Sequence, residues 1–322
     1  MLTTELIKHF MTYKLFMLSM PIIPNICSNN FKHTLKLEKL IVVCRHGPRQ
    51  PIMIPPKFDS SLWLNHDKNN YNIKAQLTNI GKLYCQFRGK ELYESYKNHF
   101  DFNKAKILVE SSFFDRTIDS TISYLSGLHI DIKKEDIILS NYLASDKCLT
   151  PEENIVYHNA VNNYKLKMNT DELDNQIKEI TGHVITKPMD YFDIHSTINC
   201  YKVHDYILPE NLNLVEKQLH KITVLFYNLL NDVENNYALL LGSRLYDHVI
   251  DIINSDITFA FLSTHDNSIM PFLKYIHKKY NKDSFIDLPD FCSTVRFEIW
   301  SSENTKILKI YYDSNLIVEI NL

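Results

Sequence analysis

Short apolar runs that break off abruptly into charge, glycine and proline set the rhythm of this chain. Leu40-Ile41-Val42-Val43-Cys44 is apolar at every consecutive position, the pattern of a strand buried on both faces in a parallel sheet. With its approach it predicts a first strand over Lys36–Cys44. Ala105–Glu110 and Ile257–Leu262 repeat the pattern. Between the first two runs, Leu83, Phe87, Leu92 and Tyr96 recur near helical spacing behind Thr78, a suitable N-cap. Thr150-Pro151-Glu152-Glu153 joins a capping box to a proline at the first helical position, and Leu212–Leu230 and Leu240–Asn254 are further helical stretches. Ser293–Trp300 and Ile307–Tyr312 read as paired strands near the end. No strand-like run falls between about 146 and 235. The alternation therefore predicts the α/β class: a mainly parallel sheet flanked by helices, formed by 36–145 and 236–322, with an inserted helical domain over 146–235.

Residues 1–35 stand apart. Lys14 followed by the apolar stretch Leu15–Ile23 has the layout of a secretory signal, with Met11 as an internal start, and equally suits a disordered or packed N-terminal arm. The signal reading would place the protein in a secreted or luminal compartment. The run is too short to span a bilayer, and Pro21 and Pro24 interrupt it, so no stable membrane span is expected. No Asn-x-Ser/Thr sequon occurs, which weighs mildly against a glycosylated secretory product.

The chemistry collects where the strands end. The first run is followed by Arg45-His46-Gly47-Pro48-Arg49-Gln50-Pro51, the second by Ser111-Ser112-Phe113-Phe114-Asp115-Arg116-Thr117, and the third by Ser263-Thr264-His265-Asp266-Asn267. Ligands of open α/β sheets bind beyond the carboxyl ends of the strands. An imidazole between two guanidiniums at such an end points to an anionic substrate met by a nucleophile, and phosphate is the obvious anion. An Arg-His pair by itself is most often a solvated loop. Arg116, taken by itself, divides evenly between a phosphate ligand and a first-turn arginine paired with Asp115 or Asp119.

Composition narrows the classes without choosing among them. Of the 322 residues, 45% are hydrophobic and 23% charged, which excludes wholesale disorder. A net charge of −3 with no basic face or tail gives no footprint for nucleic acid. Six glycines in the whole chain argue against a glycine-rich nucleotide cradle.

The string Arg45-His46-Gly47-x-Arg49-x-Pro51 resembles the signature of the histidine acid phosphatases, the branch of the phosphoglycerate-mutase-like superfamily that includes prostatic and lysosomal acid phosphatases and phytases. Gln76-Leu77-Thr78-x-x-Gly81, Ser111-Ser112-x-x-x-Arg116-Thr117, Cys200-x-x-Val203-His204-x-x-x-Leu208-Pro209 and His265-Asp266 each resemble further segments of that family, over nearly everything from Lys39 to Tyr312. The resemblance implies the phosphoglycerate-mutase-like fold and hydrolysis of phosphate monoesters, whether small molecules or phosphoproteins, with phytase-like activity within range. It implies His46 as nucleophile, forming a phosphohistidine, and Arg45, Arg49, Arg116 and His265 as phosphate ligands. Asp266 would protonate the leaving oxygen and then activate water. Neither cofactor nor metal is implied. The polar loop from Gln50 to Asn72 would lie beside the site, Glu298 occupies the place of a recurrent family glutamate, and His204 is structural.

Six cysteines allow fifteen fully paired connectivities. By resemblance alone, Cys200 and Cys292 fall in segments that the family joins by a disulfide; Cys148 resembles a family cysteine whose usual partner lies in a C-terminal tail absent here. Cys44, inside a strand, reads as a small buried hydrophobe. Pro48 departs from the family, which more often has a smaller or acidic residue there. Two other readings stay open. The His-Asp dyads at His66-Asp67, His204-Asp205 and His265-Asp266 suit a metal-dependent phosphohydrolase, although no His pair at helical ligand spacing accompanies them. A non-catalytic phospho-ligand-binding protein would need to have lost one of the six site residues, and none is lost. The oligomeric state stays open.

Overall fold

The computed structural model describes residues 35–63, 75–144, 149–155, 158–159, 170–230, 237–282 and 286–322. The signal-like segment, His66-Asp67, Cys27 and Cys148 lie outside them. Seven strands form one sheet: β1 Lys36–Arg45, β2 Ile107–Ser111, β3 Ile138–Leu139, β4 Phe259–Thr264, β5 Thr294–Ser302, β6 Thr305–Tyr312 and β7 Asn315–Asn321. Their spatial order is β3-β2-β4-β1-β5-β6-β7. The first four run parallel, and β5 to β7 continue the sheet antiparallel beyond β1. The order places the parallel strands β2, β4 and β1 side by side with their carboxyl ends at one edge.

Burial on both faces explains why β1 reads as a continuous apolar run. Ile41 and Val43 point into one core with Ala260, Leu262 and Phe297, while Leu40, Val42 and Cys44 point into a second with Phe259 and Phe261. The second core is covered by α1 Asn79–Tyr96 and α2 Asp115–Gly127, through Tyr84, Leu92, Tyr96, Ile118 and Leu125. The first is covered by α6 Tyr237–Asn254 and α7 Asp266–Lys279, through Val249, Ile252, Phe272 and Ile276. Between β3 and β4 the described residues hold no strand but α3 Asp171–Thr181, α4 Met189–Val203, α5 Asn213–Leu230 and α6. Ile177, Ile194, Ile198, Leu219 and Phe226 of this stretch belong to the same apolar cluster as the sheet.

Thr78 caps α1 through its hydroxyl, which accepts from Gly81 N at 3.0 Å. The capping box at Thr150 and Glu153 forms as well, with Glu153 N 3.3 Å from Thr150 Oγ1 and Thr150 N 2.8 Å from Glu153 Oε2. The second and third sequence-read strands each begin two residues later than expected, at Ile107–Ser111 and Phe259–Thr264. Their ladder begins only after Thr258 N and Phe259 N have both bonded to Lys106 O, so the apolar run starts before the pairing does. Two strands escaped the sequence reading. β3 is two residues long, too short for any period. β7 carried a usable signal, Leu316-Ile317-Val318-Glu319-Ile320 after a turn in which Asp313 takes φ 48°.

Candidate active site

Parallel pairing fixes which strand ends meet. β1 registers with β4 so that Arg45 lies opposite Thr264, and β2 registers with β4 so that Ser111 lies opposite Ser263. The three motifs therefore leave the sheet at adjacent points, and Arg45, His46, Arg49, Arg116, His265 and Asp266 converge on one crevice. All but Arg116, which is half-buried, are nearly removed from solvent.

The loop after β1 is held by backbone from three sides. His46 N donates to Thr264 O at 2.9 Å, Arg45 N to Ser293 O at 2.9 Å, and Gly47 N to the Ser120 hydroxyl at 2.9 Å. The string from Gln76 to Gly81 is its other support. Gln50 N donates to Gln76 O, Thr78 N donates to Pro48 O, and Arg49 bridges to Leu77. A Cβ on Gly81 would stand 1.9 Å from Pro48 O, and one on Gly47 would stand 2.4 Å from Cys85 Sγ, so both glycines are required by close approach. These two sequence motifs form one structural unit.

His46 Nδ1 lies 2.9 Å from Gly47 O, which can only accept, so Nδ1 carries the proton and Nε2 keeps its lone pair. Burial holds the His46 pKa well below 6.5, and the charges of Arg116, Arg45 and Arg49 push it further the same way. Both causes disfavour the charged imidazole. His265 stands edge-on to it with ring centroids 5.4 Å apart, and its pKa too is held well below 6.5, by burial first and then by the charges of Arg116, Arg49 and Arg45. Arg116 Nη2 lies 3.3 Å from His265 Nδ1; because a guanidinium only donates, the His265 proton sits on Nε2, directed to Ser112 Oγ at 2.8 Å. The Ser112 hydroxyl passes its own proton toward Thr117 Oγ1 at 2.7 Å, and Thr117 donates to Phe114 O at 2.7 Å.

Each guanidinium has a separate anchor. Arg45 donates to Asp266 Oδ2 at 2.5 Å and to Pro289 O at 2.5 Å, over the face of Phe291 at 4.6 Å. Arg49 donates to Gln50 O at 2.9 Å and to the Ser196 hydroxyl of α4 at 3.0 Å. Arg116 lies over Phe114 at 4.4 Å. Among the described residues Arg45 Nε and Arg49 Nε are buried without a hydrogen-bond partner. Asp266 opens α7, with His265 as its N-cap, and its Oδ1 accepts from Asn267 N at 2.9 Å. The amino end of that helix adds positive potential to the crevice. The crevice thus gathers three guanidiniums, two imidazoles and one carboxyl, a set of groups that suits a tetrahedral oxyanion.

Several supports were not assigned roles from the sequence. Ser112 and Phe114 stood inside a quoted motif without one. Ser120, Ser196, Pro289 and Phe291 reach the site from distant positions, and only the fold brings them there. One expectation changes. Cys200 and Cys292 are not joined: both thiols are free, Cys200 lies in the helical core near Arg49, and Cys292 lies in the opposite core with its Sγ 3.4 Å from Cys85 Sγ. Glu298 is not at the site. It lies opposite Leu40 in mid-sheet, where it accepts from Tyr96 Oη and from Trp300 Nε1. His204, as expected, serves structure, its Nε2 2.7 Å from the Thr78 hydroxyl and its Nδ1 2.7 Å from Cys200 O. Among the described residues no group of three or more His, Cys, Asp or Glu is arranged to hold a metal ion, and no helix is long and apolar enough to cross a membrane.

No family model matches the chain. It is similar to the venom acid phosphatase of Apis mellifera, with 25% identity over 306 residues, 86% of this chain and 77% of that protein. Among solved structures it matches the phytase of Klebsiella sp ASR1 at a TM-score of 0.60 and 15% identity, covering 87% of this chain and 83% of that one. The Hafnia alvei phytase in complex with myo-inositol hexakis sulphate matches at 0.59 and 13% identity, covering 86% and 84%. These structures share the fold of the chain.

Proposed function

We infer that this chain is a histidine acid phosphatase, a phosphoric monoester hydrolase that works through a phosphohistidine on His46. The acid phosphatase likeness over most of the chain and the shared phytase fold support the class. The observation that carries the residue assignment is the state of His46: buried, unprotonated at Nε2, and ringed by Arg45, Arg49 and Arg116.

A phosphate monoester entering the crevice places its non-bridging oxygens among those three guanidiniums and His265. The donors are already fixed by Pro289, Ser196 and Ser112, so little reorganisation remains when charge develops in the transition state. His46 Nε2 attacks phosphorus in line, the P–O bond to the leaving alcohol breaks, and that oxygen takes a proton from Asp266. Before substrate arrives, Asp266 Oδ2 is occupied by Arg45. A substrate entering as its monoanion competes for the same guanidinium, releases the carboxylate from it and passes its own proton to Asp266, which then delivers that proton to the leaving oxygen. Water then attacks the phosphohistidine, with Asp266 accepting its proton, and phosphate departs. The charge stabilisation is assigned to arginine and histidine side chains of the chain itself.

Rapid quench with p-nitrophenyl phosphate in the presence of EDTA tests the proposal. An acid-labile, alkali-stable phosphoenzyme should appear, and His46→Ala should abolish both it and turnover. Activity lost in chelator and restored by a divalent metal would instead favour the metal-dependent phosphohydrolase.

A further inference from the structure

Arg45 and Asp266 also line a cavity of about 530 Å³, which on the proposed role of Asp266 lies on the side where the leaving alcohol departs. Helix α4 lines it with His195, Asn199 and Lys202, helix α5 with Glu216, Lys217 and His220, and the turn before β5 with Asp287 and Asp290. Arg45, which is 6% exposed, borders it and carries the unpartnered Nε described above.

The charges of this wall are unevenly compensated. Arg45 is committed to Asp266, and Lys202 is paired with Glu216. Lys217, Asp287 and Asp290 are all exposed at the rim. His195 is neutral, its pKa pushed down to about 3 by burial and then by His220, and its Nε2 lies 3.0 Å from His220 Nδ1. His220 Nε2 in turn lies 3.2 Å from Asp287 Oδ1. Among the described residues neither Asp287 nor Asp290 meets a lysine or arginine in an ion pair. The lining thus sets the carboxylates of Asp266, Glu216, Asp287 and Asp290 against the cations of Arg45, Lys202 and Lys217, an excess of negative charge that disfavours a second phosphate on the leaving group and favours an ammonium group.

Resting on the phosphatase reading above, we propose that this pocket selects phosphomonoesters whose alcohol carries no further phosphate and prefers those bearing an amine. Asp287 and Asp290 are the residues that determine this specificity. They act on the leaving group alone, so they alter the ratio between substrates and not the identity of the reaction.

The experiment compares O-phosphoethanolamine with 2-hydroxyethyl phosphate, which differ in size by little and in charge by one, and adds myo-inositol hexakisphosphate. The full chain should give a higher kcat/KM for the amine ester, and the hexakisphosphate should be the poorest of the three. In Asp287→Asn/Asp290→Asn the amine-to-hydroxyl ratio should fall about fivefold, toward one. Because the ratio is taken within each protein, a loss of folded enzyme cancels. Raising the ionic strength from about 20 mM to about 0.5 M should compress the ratio in the unmodified chain as well. A ratio at or below one, a ratio indifferent to both the substitutions and salt, or efficient turnover of the hexakisphosphate would overturn the proposal. Wild-type turnover of p-nitrophenyl phosphate is scored separately: its absence refutes the phosphatase reading itself, while its presence with the wrong ratio refutes only the pocket assignment.

Discussion

Arg45 and Asp266 form a buried ion pair across the mouth of the crevice, Nη2 to Oδ2 at 2.5 Å, joining the end of β1 to the start of α7. The proposed phosphate ligand and the proposed proton donor thus hold each other until a phosphate separates them. Asp266→Asn removes the donor and weakens the hold on Arg45 together. Turnover of alkyl phosphates, whose alkoxide leaves poorly, should fall by about 10²–10⁴, while the burst with p-nitrophenyl phosphate should be nearly spared. Inorganic phosphate should inhibit this variant more strongly than the parent, since the anion no longer competes with a carboxylate. Equal losses in the burst for good and poor leaving groups would remove Asp266 from the role of acid.

The pH dependence follows from His46. Its folded pKa lies well below 6.5, so the imidazole remains a nucleophile in acid, and the acid limb of kcat/KM set by this group falls below 6.5. Burial is the larger cause and Arg116 the largest of the charges. Arg116→Met should move that limb upward without bringing it to 6.5, and ¹⁵N-histidine NMR should show the matching shift at His46. The sign for stability is the same for His46 and His265: the unfolded chain binds protons that the folded chain does not, so stability falls as pH drops below 6.5. Arg116→Met should lessen that fall. An unmoved His46 resonance would mean that the Arg116 field does not reach the ring.

The residues of the catalytic crevice were legible in the sequence because three buried strands each delivered their polar cargo immediately after an apolar run, and register does the rest. His46 and His265 are far apart in the chain, yet β1 and β4 are neighbours, and one parallel pairing brings both to the same edge. What positions those residues was not legible. Ser196 anchors Arg49 from α4 and Pro289 anchors Arg45 from the turn before β5, and neither carries a local pattern that announces a long-range contact. Glu298 shows the converse limit. Its place on a strand was read correctly from the run Ser293–Trp300, but a strand pattern does not say how far down the sheet from the crevice a residue lies, and its partners are Tyr96 and Trp300.

The cysteines separate by core. A bridge between Cys200 and Cys292 would have to pass through the sheet, because the first packs with α3 to α5 and the second with α1. Alkylation of the unfolded, unreduced protein should label Cys200 fully. Peptide mapping that recovers a Cys200–Cys292 cross-link would contradict the arrangement of the two cores. Burial raises the pKa of both thiols, and Cys292 is also affected by its neighbours Cys44 and Cys85, so neither should react in the folded protein near neutral pH.

The contact between Gly81 and Pro48 ties the first helix to the catalytic loop, and it offers a way to disturb the site without touching a reactive group. In Gly81→Ala the new methyl would stand 1.9 Å from Pro48 O and 2.9 Å from Leu77 Cδ1. Backbone cannot rotate out of the way as a side chain can, so either α1 lifts from the loop or the loop shifts. Lifting α1 strains the Thr78 cap and the packing of Tyr84 and Leu92, and should cost about 1–3 kcal/mol of stability, read as a lower denaturation midpoint. Shifting the loop moves Arg49 and Gly47, which carry Arg49's donors and His46's Nδ1 acceptor. The chemical step should then slow even at temperatures where the variant is fully folded. Ser95→Ala, on the same helix but away from the loop, is the control: it loses one bond to Glu91 O, should lower stability modestly and should leave turnover unchanged. If Gly81→Ala slowed turnover no more than Ser95→Ala at equal folded fraction, the close approach would be a packing feature alone and the helix would have no part in holding the nucleophile.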